Sequence, residues 1–410
     1  MKFGPDVLIV GAGPAGLAAA ARLARLGVDD VLVVDREPQG GGMPRFCAHP
    51  TFGLTDFWRP MSGPSYAAAW RKRVDPGKVM TSTTITRIGR NGEVSAATAE
   101  GELTLTPKRI LLATGIRERS RSARLVSGDR PRNVLTTGAL QRLVSAGTQL
   151  PFRRPVIVGT ELVAFSALLM LREHGVVPVA MLERQSRIVT WRPGDVVAGT
   201  IFHTPVLCNH RLVSINATPQ DASRLESVTV QTATGQRDIL CDAVIFTGEF
   251  TPEASLLGEL PELLLPGSGG PSVDQDWRTE SPMIFAAGNI LRSVETAAWS
   301  AREGAAAASA IAADLGGRPS GRRIPIEVSG AVASVVPSAI SVPASRLGAL
   351  QMQARMKTTA HGHFSLSADG TEVWRSRRLT ALRERRYGLT RTLPELAKVT
   401  GLTLSFIGAD

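Results

Sequence analysis

The sequence predicts an α/β fold in which a second Rossmann-like domain is inserted into the first and a small β-rich domain follows. Three features predict it: a strand–glycine turn–helix–strand pattern near the N-terminus, a copy of that pattern beginning at Pro155, and a change of composition after Gly316. A chain of 410 residues exceeds one ordinary core, so several domains are expected. The predicted domains are residues 1–117 with 252–320, residues 118–251, and residues 321–410.

The N-terminal pattern has the spacing of a dinucleotide-binding turn. The apolar run Val7–Val10 leads into three glycines, which permit a tight turn, close approach of a pyrophosphate and close helix–strand packing. An alanine-rich helix follows, and its N-terminus presents free N–H groups to phosphate. The next apolar run ends at Asp35, 19 residues after Gly16, where a carboxylate binds ribose hydroxyls. The residues predicted to hold the adenine half of a cofactor are Gly11, Gly13, Pro14, Ala15, Gly16, Asp35 and Arg36.

The copy that begins at Pro155 departs from this pattern at one informative position. Gly159 and Ala164 take the first and third glycine positions, but Glu161 takes the second. Its side chain adds bulk and negative charge against phosphate, and two like charges about 4 Å apart repel by roughly 1 kcal/mol even in water. The inserted domain is therefore predicted to bind NAD(P) poorly or not at all. The alternative is that the helix shifts or Glu161 turns outward and the site still works, with Glu183 at the ribose position favouring NAD over NADP.

Two further turns are predicted to approach the cofactor. One follows the apolar run at residues 109–112, and the other follows the run at residues 283–287 and precedes a long helix. Small residues at such turns let the backbone pass close to a nucleotide. The candidates from these turns are Ala113, Thr114, Gly115, Gly288 and Asn289.

The combination of GAGPAG, ATG and AAGN is similar to that of the two-dinucleotide-domain flavoproteins, which include thioredoxin, glutathione and ferredoxin reductases. The resemblance covers residues 5–320 and implies FAD as the cofactor. In those relatives the last turn places a carboxylate on the flavin ribityl chain, and the matching residue here is Asn289, which carries no charge. In the relatives the loop that follows the first strand–helix–strand pattern also lies near the flavin ring. The resemblance therefore makes Gly42 and Arg45 candidates for cofactor contact.

A closer resemblance is to the A-type flavoprotein subunits of heteromeric opine and amino-acid dehydrogenases and of hydrogen cyanide synthase. It rests on segments such as GGGMPRFCAHPTFG, VSGDRPRNVLTTGALQ and AAGNILRSVETAAWSAREG. It implies a subunit of a multi-subunit dehydrogenase that acts on an amino acid, imino acid or opine. The implied partners are an amino-acid-oxidase-like flavoprotein and a small ferredoxin-like iron–sulfur protein. Many such subunits carry a cysteine-rich [2Fe–2S] segment, but this chain has no cysteine after Cys241, so no cluster is expected on it.

Two other functions stay open at this point, and no general base is identified. One is a self-sufficient NAD(P)H-dependent flavin reductase of the ferredoxin-reductase type. The other is a non-catalytic scaffold that binds a nucleotide and organises an active partner. The three cysteines form no CxxC pair, which argues against a redox dithiol.

Several other residues that could have a catalytic, metal-binding or phosphate-binding role also have simpler structural explanations. Cys47 and His49 follow the glycine loop, but a lone cysteine or histidine is more often a packed residue. Residues 202–210, FHTPVLCNH, contain metal-ligand residue types, yet strand packing explains them better than zinc, so no metal is expected. The basic stretch at residues 117–132 is predicted to be a solvated interdomain connection, or else to bind phosphate or an acidic electron carrier.

Composition limits the partners and the location of the protein. The net charge of +11 fits anionic nucleotides or an acidic partner, whereas two tyrosines and no recognised binding module argue against nucleic acid. The longest apolar stretch, residues 156–171, contains Glu161, so no transmembrane segment is expected. The cysteine usage and the lack of a signal-peptide pattern predict a cytoplasmic protein.

The last ninety residues are predicted to form short strands that serve in subunit association. Ala368-Asp369-Gly370 is a hairpin signal between two of these strands. A short helix is predicted at residues 393–399.

Overall fold

The computed structural model describes residues 2–190, 193–317, 321–342, 350–383, 385–391 and 398–408. The chain divides into two compact units. The first unit contains Met1–Gly42, Ser65–Arg117 and Thr251–Asp410, and the second contains Met43–Pro64 and Glu118–Phe250. Residues 43–64 thus group with the second unit, although the sequence assigned them to the first domain, and residues 321–410 group with the first unit.

The elements that precede the second unit's main segment begin with strands and helices in alternation and continue as a run of strands. They are β1 (Lys2–Phe3), β2 (Val7–Val10), α1 (Pro14–Arg25), β3 (Val31–Val34), α2 (Gly63–Arg71), β4 (Val79–Met80), β5 (Thr84–Ile88), β6 (Val94–Thr98), β7 (Gly101–Leu105), β8 (Arg109–Leu112) and β9 (Ile116–Glu118).

The second unit likewise begins with strands and helices in alternation and ends in a run of strands. Its elements are β10 (Ser127–Gly128), β11 (Val134–Thr136), α3 (Thr137–Ser145), β12 (Pro155–Val158), α4 (Leu162–Glu173), β13 (Ala180–Leu182), α5 (Gly194–Thr200), β14 (Val206–Leu207), β15 (Arg211–Thr218), β16 (Asp221–Thr232), β17 (Gly235–Leu240) and β18 (Ala243–Phe246).

The remaining elements return to the first unit and are mostly strands. They are β19 (Phe250–Pro252), β20 (Ile284–Ala286), α6 (Ala297–Leu315), β21 (Arg322–Gly330), β22 (Val332–Val336), β23 (Ala339–Val342), β24 (Leu350–Met356), β25 (Ala360–Ala368), β26 (Thr371–Arg375), β27 (Leu379–Ala381), β28 (Tyr387–Arg391) and β29 (Leu402–Gly408).

Each unit contains a parallel five-stranded sheet. The order is β20-β8-β2-β3-β4 in the first unit and β11-β18-β12-β13-β14 in the second. Residues Val7–Val10 and Val31–Val34 are buried throughout, as expected for strands that helices and loops cover on both faces. The two sheets and the β-rich C-terminal part confirm the predicted fold class.

The C-terminal part of the first unit consists of two antiparallel-rich sheets around their own core. The sheets contain β23-β21-β29-β25-β26 and β22-β24-β28. Phe364 and Phe406 meet edge to face in that core, with ring centroids 5.0 Å apart. The predicted hairpin is confirmed, because Asp369 and Gly370 both have positive φ between β25 and β26, as a tight two-residue turn requires. Most of the helix predicted at 393–399 lies outside the described residues.

Among the described residues no helix is both long and apolar enough to cross a bilayer.

Candidate cofactor site

The turn between β2 and α1 requires glycine at two positions and leaves space at a third. Gly11 has φ +106°, and a Cβ atom there would lie 2.5 Å from the carbonyl oxygen of Ala113. A Cβ atom at Gly16 would lie 1.9 Å from the carbonyl oxygen of Gly11. At Gly13, by contrast, a Cβ atom would meet no described atom within 4 Å. The turn is therefore closed on the side of the sheet and open above Gly13.

Helix α1 begins directly at this open position. Gly13 is the N-cap and contributes no side-chain hydrogen bond, and Pro14 occupies the first helical position. The first-turn N–H groups of a helix lack intrahelical partners and carry the positive end of its dipole, so they attract phosphate. The open position above Gly13 at the start of α1, called the cradle below, thus has the space and the polarity that a pyrophosphate needs.

Asp35 lies at the end of β3 and faces this turn. Its carboxylate accepts hydrogen bonds from the backbone N–H of Ala12, at 2.6 Å, and of Glu37, at 2.9 Å. These bonds orient the half-buried carboxylate beside the glycine turn, where the sequence predicted a ribose ligand. Arg36, the next predicted contact, is exposed.

Two further turns lie at the same edge of the sheet. Val10 pairs with Leu112 and Leu112 with Ala286, so β2, β8 and β20 end at one level. The turn after β8 is fixed because Thr114 Oγ1 donates to the carbonyl oxygen of Glu253, at 2.7 Å, and the Glu253 N–H donates to the carbonyl oxygen of Gly115, at 2.9 Å.

Gly115 and Gly288 differ in the space beside them. Both have positive φ, at +78° and +82°. A Cβ atom at Gly115 would meet no described atom within 4 Å, whereas one at Gly288 would lie 3.0 Å from the Cβ atom of Ala15. The turn after β20 therefore packs directly on the first turn of α1. The structure brings together the predicted residues of these three turns at one end of the sheet.

Asn289 uses its side chain to hold its own loop. Its Oδ1 accepts the N–H of Glu295 at 2.6 Å, and its Nδ2 donates to the carbonyl oxygen of Glu295 at 3.2 Å. The Asn289 amide thus joins the two ends of the loop at residues 289–295. The sequence did not predict this role for the side chain. A carboxamide has capacity for one further donor and one further acceptor bond, so a ribityl contact stays a prediction.

The glycine loop that follows β3, from Gly40 onward, lies partly in each unit. The Gly41 N–H donates to the carbonyl oxygen of Ala12 at 2.6 Å, so Gly42, with φ +63°, follows a segment tied to the first turn. Arg45 lies in the second unit, in the short 3₁₀ helix Met43–Phe46, with its guanidinium 4.8 Å from the centroid of the Phe46 ring. The structure therefore groups Gly42, but not Arg45, with the other predicted residues.

The equivalent turn in the second unit is closed by Glu161. Its Oε2 accepts a hydrogen bond from Thr247 Oγ1 at 2.7 Å. A Cβ atom at Gly248 would lie 2.0 Å from Oε1, and one at Gly159 would lie 2.6 Å from Oε2. The carboxylate thus folds over its own glycine turn and fills the region that is open at Gly13 and Gly115 in the first unit. The alternative in which Glu161 turns outward is not observed.

The other side chains around this second turn are also engaged. Arg124 donates to the carbonyl oxygens of Thr247, at 3.1 Å, and Gly248, at 2.7 Å, and its burial lowers its pKa. Glu183, only 4% exposed, accepts from Thr160 Oγ1 at 2.5 Å and from the Gln185 N–H at 2.9 Å. The ribose-position carboxylate is therefore more buried than Asp35, although its hydrogen bonds resemble those that orient Asp35 in the first unit.

The basic stretch at residues 117–132 is partly built into the fold. Arg121 donates to the carbonyl oxygen of Val126 at 3.1 Å and also to those of Ser127 and Asp129. Burial lowers the pKa of Arg121 as well. With Arg124 it holds this segment together, a role that the sequence left unrecognised.

The isolated cysteines and histidines have packing roles. Cys47 is 8% exposed, Gln141 Nε2 lies 3.4 Å from its Sγ, and burial raises its pKa to about 12. His49 bonds Ser166 Oγ at 2.7 Å and Thr51 Oγ1 at 2.8 Å, and burial lowers its pKa.

Cys208 and His210 do not form a metal site. His210 bonds the carbonyl oxygen of Cys208 at 2.7 Å through Nδ1 and lies 2.9 Å from Arg237 Nη2 through Nε2. A guanidinium at that distance disfavours a cation. Within the described ranges, no group of three or more histidine, cysteine or acidic residues is arranged to hold a metal ion.

A family model for pyridine nucleotide-disulphide oxidoreductases matches residues 5–304. The chain belongs to this family. The family binds FAD and often NAD(P), and the open cradle above Gly13 fits the adenine dinucleotide, so the protein is an FAD-dependent oxidoreductase.

Solved structures share the fold at low sequence identity. Thioredoxin reductase from T. acidophilum is 21% identical, with a TM-score of 0.63 over 76% of this chain and 98% of that chain. A NAD-dependent persulfide reductase from A. fulgidus is 17% identical, with a TM-score of 0.59 over 90% and 68%. L-proline dehydrogenase from P. horikoshii is 15% identical, with a TM-score of 0.57 over 77% and 56%. A search of curated protein sequences gave no match.

Proposed function

We propose that this oxidoreductase is the flavoprotein subunit of a multi-subunit dehydrogenase that oxidises an amino acid, imino acid or opine at a C–N bond. It exchanges electrons with partner subunits and not with NAD(P)H. One observation carries the proposal: the Glu161 carboxylate occupies the second glycine turn and bonds Thr247. A bound nucleotide would have to displace this carboxylate and approach its charge.

The proposed FAD contacts come from the first unit. The amides at the start of α1 and the open position above Gly13 would hold the pyrophosphate, and Asp35 would bind the adenosine ribose. The turns at Gly115 and Gly288 would approach the rest of the cofactor from the same sheet edge. FAD, when bound, supplies the redox chemistry, and the chain binds and orients it.

The cysteines argue against disulfide chemistry on this chain. Cys47, Cys208 and Cys241 are all free thiols, and the sequence contains no others. Burial raises the pKa of both Cys47 and Cys241 to about 12, which keeps these thiols protonated and weakly nucleophilic. Electrons that reach the flavin must therefore leave by another route, and a partner's iron–sulfur centre provides one.

The proposed partners follow from the resemblance of the sequence to A-type dehydrogenase subunits. They are an amino-acid-oxidase-like flavoprotein, which would hold the amine substrate, and a small ferredoxin-like iron–sulfur protein. The same fold occurs in L-proline dehydrogenase from P. horikoshii, so it is compatible with oxidation at a C–N bond.

A second candidate is a self-sufficient NAD(P)H-dependent reductase. It is favoured by the intact β12–α4–β13 unit with Gly159 at φ +125°, which retains the backbone of a nucleotide turn.

Anaerobic absorption spectroscopy distinguishes the two functions. We expect the flavin band of the purified chain to persist with excess NADH or NADPH, and to bleach with an amino-acid substrate only when the partner flavoprotein is present. Rapid bleaching of the isolated chain by either nucleotide would instead establish the reductase. A purified chain without a flavin band would support a scaffold.

A further inference from the structure

The turn at Gly288 is connected to the C-terminal sheets by a buried network of charged and polar side chains. The network starts at Glu303 on α6, whose Oε2 accepts the Gly288 N–H at 3.1 Å. A Cβ atom at the next residue, Gly304, would lie 2.0 Å from the carbonyl oxygen of Ala15, so this part of α6 packs on the first turn of α1. Glu303 therefore lies at the cofactor edge and fixes one backbone amide there.

Arg292 carries the network away from that edge. It is 1% exposed, and its Nη1 donates to Glu303 Oε2 at 3.2 Å while its Nη2 bonds Glu303 Oε1. Its Nε and Nη2 also donate to Oε1 of Gln353, at 3.1 and 2.7 Å. Gln353 is 9% exposed and belongs to β24 of the C-terminal sheets. A single buried guanidinium thus joins α6 to β24.

A second branch holds the other end of the same loop. Glu295, whose backbone closes the loop with Asn289, pairs with Arg355 of β24 and with Arg386, the latter at 3.0 Å. Arg355 also donates to the carbonyl oxygen of Val294 at 3.0 Å. The segment at residues 288–295 is therefore held at Gly288 by Glu303 of α6, and at Arg292, Val294 and Glu295 by side chains from β24.

We propose that Gln353 and Arg355 are positioning residues for the FAD site, acting through Arg292, Glu303 and Glu295 on the loop at residues 288–295. Buried ion pairs are costly to desolvate, and apolar residues of similar volume often give equal stability. Stability therefore does not explain this network, and we assign it the role of holding its residues in one defined geometry. The geometry fixed here is that of the turn which packs on the phosphate-binding end of α1. The inference requires only that the chain binds FAD, and it is independent of which electron donor reduces the flavin.

The variant Gln353→Leu tests this on the full chain. It removes the side-chain oxygen that accepts two hydrogen bonds from Arg292. The loss of one hydrogen bond to a charged group corresponds to about a ten-fold change in affinity. We expect FAD to dissociate about ten-fold more readily. We also expect the backbone amides of residues 288–295 to exchange hydrogen faster in the FAD-free protein. Gln353→Glu retains acceptor oxygens facing Arg292 and should restore both properties.

Gln351→Leu is the matched control, because Gln351 is exposed on the same strand. If Gln353→Leu and Gln351→Leu give the same FAD dissociation constant and the same exchange as the unaltered chain, the proposal is wrong, whatever happens to the melting temperature. Should Gln353→Leu not fold, Arg386→Ala removes the partly exposed end of the second branch. It is judged by the same two measurements against Arg378→Ala, which changes an exposed arginine of the same part of the chain.

Discussion

The Glu161 carboxylate accepts the hydroxyl hydrogen of Thr247 at 2.7 Å, across the glycine turn of the second unit. The corresponding pair in the first unit is Gly13 and Thr114, where no carboxylate is present. Both threonine hydroxyls lie within hydrogen-bonding distance of a backbone carbonyl, that of Val158 for Thr247 and that of Glu253 for Thr114, so the carboxylate is what distinguishes the two turns. One substitution in a duplicated motif thus separates an open turn from a closed one. This difference leads to the first prediction.

Glu161→Gly should open the second turn to a nicotinamide nucleotide. It removes both the bulk over Gly248 and the negative charge, and leaves the Arg124 guanidinium nearby as a counter-charge for phosphate. We expect NADH binding, measured by calorimetry, to become detectable in this variant. Glu161→Gln is the control: it keeps the bulk, so binding should stay weak. Equal NADH affinity in the unaltered chain and Glu161→Gly would contradict the role assigned to the carboxylate.

Gly13→Ala should separate FAD binding from folding. Gly13 has φ −76° and an added Cβ would meet no described atom within 4 Å, so the apoprotein should keep its stability to within about 0.5 kcal/mol. The methyl group projects into the pyrophosphate cradle, and FAD retention on gel filtration should fall. Gly16→Ala provides the contrast, because its Cβ would lie 1.9 Å from a backbone oxygen and should impair folding itself. Unchanged FAD retention in Gly13→Ala would place the cofactor elsewhere.

His49 should make the folded state less stable in mild acid. Its pKa in the folded chain is lowered from 6.5 by burial, so below that pH the unfolded chain binds a proton that the folded chain resists. The stability from the neutral ring is fully present above pH 6.5 and declines as the pH falls, with a slope of at most about 1.4 kcal/mol per pH unit. Urea unfolding of the unaltered chain and His49→Gln between pH 8 and 5 measures this. Parallel pH profiles for the two proteins would show that His49 does not titrate on unfolding.

The three thiols should differ in reactivity. Cys47 and Cys241 are buried with pKa values raised to about 12, whereas Cys208 is partly exposed, although burial and the nearby Glu183 carboxylate also raise its pKa. Iodoacetamide at pH 8 should therefore label Cys208 first, and the other two only after unfolding. Mass spectrometry of the labelled peptides gives the order. Fast labelling of Cys47 in the folded chain would instead indicate a reactive thiol and revive a redox role for it.

Much of the site could be predicted because its determinants are local. The spacing of Gly11, Gly13, Gly16 and Asp35 is set within one strand–turn–helix–strand unit. The structure shows the close contacts that require glycine at Gly11 and Gly16 and the hydrogen bond from the turn to Asp35, and the part of these residues in cofactor binding stays a prediction. The same is true of the Asp369-Gly370 hairpin, since two consecutive positive φ angles depend on residue type more than on context.

Residues from distant parts of the chain were missed for the opposite reason. Glu303 lies in an alanine-rich helix and Gln353 in an ordinary strand, and neither belongs to a motif with fixed spacing. The sequence signal at Glu303 was a charged residue among the alanines of the helix, and Gln353 carried no such signal. The grouping of residues 43–64 with the second unit likewise depends on contacts with residues more than seventy positions away.

The sequence by itself determined the two glycine turns, the substitution at Glu161 and the lack of a CxxC pair, because these depend on residue identity and short-range spacing. The tertiary structure alone decided that the Glu161 carboxylate closes its turn onto Thr247, and that a buried arginine joins the Gly288 turn to β24. Both depend on which distant backbone and side-chain atoms come within hydrogen-bonding distance. Packing of the whole chain, and not local spacing, fixes those distances.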